Sequence, residues 1–317
     1  MFKHKMFWFV LAIALLMLVV GCTEQNNESS QEDVSQDESP TTEQVSDSTI
    51  PTPPPIDELD PENPMTEYIQ YGQEIFNETN VVIPEYVGAE LSCQSCHADG
   101  GLGSASTMVG VVADYPQYRP REGVAFTLED RINGCLMRSM NGEPLPYDSK
   151  EMRSLMAYFS HLSTGVAIGE ERPWFTPNEM KEIPEPNVVK GEELYVAKNC
   201  MTCHGDDGEG IGANTGPALW GDKSFNDGAG LARLSKMAAY IQNNMPPGGE
   251  GTLTDQEAAD LAAYILMHER PEFKYLDQDF PHGPGPDDFI RRERLEPIQK
   301  GEFDWKAEIG RIVDRQE

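Results

Sequence analysis

Cys93-Gln94-Ser95-Cys96-His97 and Cys200-Met201-Thr202-Cys203-His204 are the two stretches that decide how this chain is read. Both are C-x-x-C-H, the spacing at which two thiols add to the two vinyl groups of a haem and the adjoining histidine reaches the iron. A disulfide or a redox dithiol needs no histidine directly after its second cysteine, let alone twice. A structural zinc site needs four ligands gathered in one place. The doubled motif predicts two covalently bound haem c groups. Cys93, Cys96, Cys200 and Cys203 are the attachment residues, and His97 and His204 are the proximal iron ligands.

Working outward, each motif sits in the same series of elements. In the second half, a helix predicted over Val188–Ala197 leads into Cys200, and a Gly-rich loop follows His204. A helix near Leu231–Gln242 then runs into Asn243-Asn244-Met245-Pro246, and a last helix begins at Thr254. Glu257, three residues on, completes a capping box, and Ala258, Leu261, Ala262 and Ile265 recur at helical spacing. The first half repeats this plan. A helix around Thr66–Phe76 precedes Cys93, and a last helix starting at Asp148 carries Met152, Leu155, Met156 and Phe159 as its apolar stripe. These stripes are core packing.

The rest of the chain sets the compartment. Lys3 and Lys5 precede an apolar run from Met6 to Val20, then Gly21 and Cys22. A basic start, a short apolar core and a small-residue cleavage site make an export signal. The run of about 15 residues falls short of the roughly 20 that span a bilayer. The cysteine after the small residue resembles a lipoprotein lipobox, with Cys22 lipidated. Residues 1–21 are thus expected to be a signal peptide and 22–64 a disordered acidic tether that lacks Lys and Arg. The folded part lies outside the cytoplasm, periplasmic or at the cell surface. It is expected to comprise a first domain (65–165), a Pro-marked linker (166–187), a second domain (188–270) and a charged tail (271–317) over the domains. A formal charge of -30 argues against nucleic acid as a partner.

Of six cysteines, Cys135 alone is left without lipid, haem or partner. Met245 stands where a distal methionine ligand is expected, between a polar helix end and the last helix. Cys135 follows His97 by nearly the interval at which Met245 follows His204, which makes it the candidate distal ligand of the first haem. Met137 and Met140 are its rivals. A thiolate would lower the potential of that haem relative to a thioether. Around Cys135 an acidic chain turns basic, with Arg119, Arg121, Arg131 and Arg138, a setting that favours thiolate and attracts anions. His161 and His268 are read as packing or surface residues.

The series helix, C-x-x-C-H, loop and last helix resembles class I cytochrome c domains, and the fold expected is all-α, two such domains in tandem, each around one haem. The stretch from Arg131 to Pro146, with Tyr115, Gln117 and Arg121, resembles the tetrathionate-forming thiosulfate dehydrogenases. The likeness runs from about residue 65 to 270, and the first domain is also similar to the A subunit of the sulfur-oxidising complex. The resemblance implies oxidation of two thiosulfate ions to tetrathionate, or the reverse. Cys135 would be haem ligand and covalent catalyst, Arg121 and Arg131 would hold the anions, and Ser139 would be the nearby hydroxyl. Electrons would pass from the His97/Cys135 haem to the His204/Met245 haem and on to an acceptor such as another cytochrome c. Where some relatives carry a lysine before the distal methionine, this chain has Asn244, so no Lys/Met exchange is expected. A plain di-haem electron carrier, or a haem subunit of a sulfur-oxidising complex, are the alternatives.

Overall fold

A computed structural model describes residues 50–103 and 106–309. The expected signal peptide, Cys22 and most of the tether lie outside the described residues. The described chain is mostly helical, with α1 (Pro64–Asn77), α2 (Thr79–Val82), α3 (Leu128–Arg138), α4 (Lys150–Leu162), α5 (Val188–Ala197), α6 (Met201–His204), α7 (Leu234–Asn244), α8 (Asp255–Leu266), α9 (Arg292–Gln299) and α10 (Trp305–Ile309). The helical class expected holds, with one short addition: Gln117–Arg119 (β1) pairs antiparallel with Val124–Phe126 (β2) just before α3.

Local chemistry sets the helix starts. Asn63 accepts the Met65 N–H ahead of Pro64 at the first position of α1, and Asn187 accepts the Lys190 N–H at α5. Thr127 with Asp130 and Thr254 with Glu257 form capping boxes at α3 and α8. At α4 the cap is Ser149, which accepts the Met152 N–H, so the helix opens at Lys150, later than the expected Asp148.

The two halves share one construction. In each, the first helix crosses the last at a glycine, Gly72 in α1 and Gly191 in α5. A Cβ on Gly72 would stand 2.0 Å from the Ser154 carbonyl oxygen, and one on Gly191 2.1 Å from that of Asp260. Neither crossing can close over a side chain. One turn on from each glycine the aromatic residues meet: Phe76 against Tyr158 at 5.5 Å between ring centroids, and Tyr195 against Tyr264 at 5.6 Å. Trp220 stacks on His268 at 4.1 Å, and His161 is buried with its ring nitrogen 2.8 Å from the Pro54 carbonyl, so both histidines pack as expected.

That Pro54 contact corrects the tether boundary. Ile56 also packs on the core and Asn63 caps α1, so residues 50–63 lie against the first half. The linker is tied down as well: Trp174 Nε1 donates to the Val109 carbonyl at 3.2 Å, and Met180 N to the Ser235 carbonyl at 3.1 Å. The tail is a structural member. Phe273, Phe289, Ile290, Leu295, Ile298, Trp305 and Ile309 are buried, and the fully buried Asp288 accepts from Arg233 Nε at 2.8 Å and Ser235 N at 3.0 Å.

Candidate functional site

The first observation about the motifs is shared by both halves. His97 Nδ1 lies 2.7 Å from the Ser106 carbonyl oxygen, and His204 Nδ1 lies 2.8 Å from that of Pro217. A carbonyl only accepts, so Nδ1 carries the proton and Nε2 keeps its lone pair for a metal. Burial holds both imidazoles below the ordinary histidine range, which keeps them neutral and able to ligate. Burial also pushes the Cys93 and Cys96 thiols up to about 12 and raises Cys200. A redox dithiol has the opposite tuning, with its thiolate favoured. Gly216 lets the loop close on the second motif, since a Cβ there would stand 1.9 Å from the Cys203 carbonyl oxygen. These residues fit covalent haem at both motifs.

The two motifs are brought to one interface. Ser95 Oγ, inside the first motif, donates to the Ala213 carbonyl in the loop after the second, at 2.7 Å. Tyr240 of α7 reaches the carbonyls of Ser95 and Cys96, each at 3.4 Å. Asn178 of the linker donates to Ser106 Oγ and faces Asn243 and Asn244 at 3.3 and 3.4 Å. A polar chain thus runs from the residue that holds His97 to the neighbours of Met245.

Cys135 lies within α3, three residues before its end, whereas Met245 is the extended C-cap of α7. The two therefore do not occupy the same helical position, although their sequence intervals agree. Cys135 is close enough to the first motif to act on the Cys93 and Cys96 thiols, which burial chiefly raises. Arg131, one turn earlier on α3, donates from Nη1 to Cys135 Sγ at 2.8 Å. The charge of Cys135 in turn lifts Arg131 above its ordinary range, and burial opposes this. Tyr115 completes this group, raised by burial and coupled to Arg131 and Cys135. Of the rival methionines, Met140 is buried in the core, and Met137 sits two residues on, about 200° round the helix from Cys135. Ser139 caps α3, its N–H donating to the Cys135 carbonyl.

Arg121 is anchored by an acid of the tail. Its guanidinium is held by Asp279 of the tail, through Nε at 3.0 Å and Nη2 at 2.6 Å, and Nη2 also donates to the Gly228 carbonyl at 2.6 Å. Arg138 Nη2 donates to the other Asp279 oxygen at 2.6 Å. Glu122 stands 3.9 Å from Arg119 and 3.7 Å from Arg138. The basic cluster thus contains two acids. Glu122 was legible as a neighbour of Arg121, but Asp279 lies far along the chain with no motif to flag it.

Comparison with known proteins gives a family match for each half. Residues 83–168 match the SoxA/TsdA cytochrome c domain, and residues 186–265 match the cytochrome c oxidase, cbb3-type, subunit III family. A thiosulfate dehydrogenase of Allochromatium vinosum is 39% identical over 229 residues, covering 69% of this chain and 84% of that protein. Another from Stutzerimonas stutzeri is 39% identical over 227 residues, covering 69% of this chain and 73% of that protein. The solved thiosulfate dehydrogenase TsdBA from Marichromatium purpuratum superposes with a TM-score of 0.66 at 33% identity over 75% of this chain. It is a longer protein, of which this chain covers 52%.

Proposed function

The chain belongs to the TsdA family of thiosulfate dehydrogenases, and from that premise we propose that it joins two thiosulfate ions into tetrathionate at Cys135. The observation that carries this reading is the Arg131 guanidinium 2.8 Å from the Cys135 sulfur. The contact presents positive charge at the sulfur, where a dianion must approach.

The sulfur balance is simple. The Cys135 thiolate and the sulfane sulfur of one thiosulfate form a sulfur–sulfur bond as two electrons leave, giving Cys–S–S–SO3⁻. The sulfane sulfur of a second thiosulfate then attacks the sulfane sulfur of the adduct. Tetrathionate departs and the Cys135 thiolate returns. No proton is consumed or released. Arg131 offsets the repulsion between like-charged partners in both steps. Haem c held by Cys93, Cys96 and His97, and by Cys200, Cys203 and His204, would supply the one-electron acceptors, with Cys135 and Met245 as candidate distal ligands. Ser139, one turn from Cys135, is a candidate hydroxyl donor to the substrate.

The electrons leave for an external acceptor such as another cytochrome c, and the protein acts outside the cytoplasm. Anchoring through a lipidated Cys22 is part of the proposal. Among the described residues no helix is long and apolar enough to cross a membrane. The test is to add thiosulfate alone to the oxidised, haem-loaded protein. Haem reduction with stoichiometric tetrathionate is expected. The electron-carrier alternative predicts neither, and full activity in Cys135→Ala would remove the cysteine from the chemistry.

A further inference from the structure

The histidines of the two motifs are held by the same bond but by different means. His204 Nδ1 donates to the Pro217 carbonyl at 2.8 Å. The ring of Pro217 fixes its own φ, and Gly216 beside it lies against the Cys203 backbone, so the second half supports its histidine from within. His97 Nδ1 donates to the Ser106 carbonyl at 2.7 Å. Ser106 is a buried serine with φ at 59°, in the left-handed region, which a residue with a Cβ keeps only where its surroundings fix it. A fixing contact comes from outside the first half: Asn178 of the linker donates from Nδ2 to Ser106 Oγ.

The other end of the same amide reaches the second half. Asn178 Oδ1 accepts from Asn243 Nδ2 at 3.3 Å and from Asn244 Nδ2 at 3.4 Å, and Asn244 directly precedes Met245. Asn244 Nδ2 also donates to the Tyr240 carbonyl at 2.8 Å, and the Tyr240 hydroxyl reaches the Ser95 and Cys96 carbonyls of the first motif. The next two linker residues are fastened to the start of α7. Glu179 pairs with Arg233 at 3.0 Å and Lys236 at 3.6 Å, and Met180 N donates to the Ser235 carbonyl at 3.1 Å. Asn178 is thus anchored to the second half while it holds a residue of the first.

We propose that Asn178 is a positioning residue that sets the reduction potential of the first haem from the second half, by holding the Ser106 carbonyl against His97 Nδ1 while it is itself fixed to α7 ahead of Met245. A firm acceptor at Nδ1 makes the imidazole a more basic ligand, which favours the oxidised metal and lowers the potential. The docking of the second half on the first is thereby felt at the first haem. This inference rests on haem c at both motifs and not on the identity of the sulfur substrate.

The test is a redox titration of the haem-loaded full chain, followed in the visible spectrum, for wild type, Asn178→Ala, Ser106→Ala and the double variant. Met245→His, which alters the second haem, tells the two potentials apart. Each single variant should raise the potential of the first haem, by about three- to tenfold in its reduction constant, where tenfold is about 59 mV for one electron. Both act through one contact, so the double variant should move it no further than either alone. Ser106→Ala should leave the second haem unchanged. Wild-type potentials in Asn178→Ala, even with a lowered Tm, would overturn the proposal, and so would additive shifts in the double variant. If Asn178→Ala does not fold, Ser106→Ala decides, and an unchanged first potential there overturns it. If the wild type carries two haems but turns over no thiosulfate, the functional reading fails and the titration still decides on Asn178. A wild type without covalent haem would overturn both.

Discussion

Replacing Arg131 with methionine isolates the contact on which the sulfur chemistry rests. Methionine keeps much of the side chain's length and apolar volume, and removes a guanidinium 2.8 Å from the Cys135 sulfur. Two unit charges about 4 Å apart interact by about 4 kcal/mol at an effective dielectric near 20. Arg131 is half-buried, so that figure is an upper bound. Hydrogen bonds to charged groups contribute about 1.5–3 kcal/mol net. At about 1.4 kcal/mol per factor of ten, kcat/KM for thiosulfate should fall roughly 10- to 150-fold. Arg131→Lys should fall between, since it keeps the charge but not the planar fork. The assay is steady-state haem-linked thiosulfate oxidation, with an unchanged visible spectrum as the control for folding and haem attachment. Wild-type kcat/KM in Arg131→Met would refute the reasoning, because no other group could then be credited to Arg131.

Three further outcomes follow from the packing. Gly72→Ala and Gly191→Ala should each lower stability by about 1–3 kcal/mol or more, since the new Cβ would stand 2.0 and 2.1 Å from a carbonyl oxygen of the crossing helix; thermal unfolding reads this directly. Asp288→Ala leaves Arg233 and the α7 N-terminus without a buried partner and should cost about 3–5 kcal/mol, measured by denaturant unfolding with Asp288→Asn as the milder comparison. His268 is held down to about 4 from 6.5, chiefly by burial and also by Arg270. Its folded pKa is depressed, so the stability linked to its neutral form is present above about 6.5 and is lost as pH falls toward 4. His268→Phe keeps a ring against Trp220 and should flatten Tm against pH over that window.

The features legible in the sequence were the local ones. Both attachment motifs, the limits of α5, the capping box at Thr254 and the apolar stripes depend on neighbours within a few positions, and local patterns report such things. The hairpin was missed because its strands are three residues each, too short for alternation to register, and prolines flank the first. Cys135 was matched to Met245 by counting residues, yet one lies inside a helix and the other caps one. An interval fixes distance along the chain but not the turn of the backbone. The acid paired with Arg121, Asp279, was not legible because it comes from a tail with no periodicity to read. Contacts between distant segments are set by tertiary packing, and a single sequence carries no marker of them.

The seam between the two motifs has a consequence for how the protein is made. Ser95 lies between the two thiols that must be alkylated, and it is already joined to Ala213, while Tyr240 covers the backbone of Ser95 and Cys96. An enzyme that adds haem to Cys93 and Cys96 needs that loop open. If that motif carries haem, attachment at Cys93 and Cys96 would have to precede closure of the halves over Ser95.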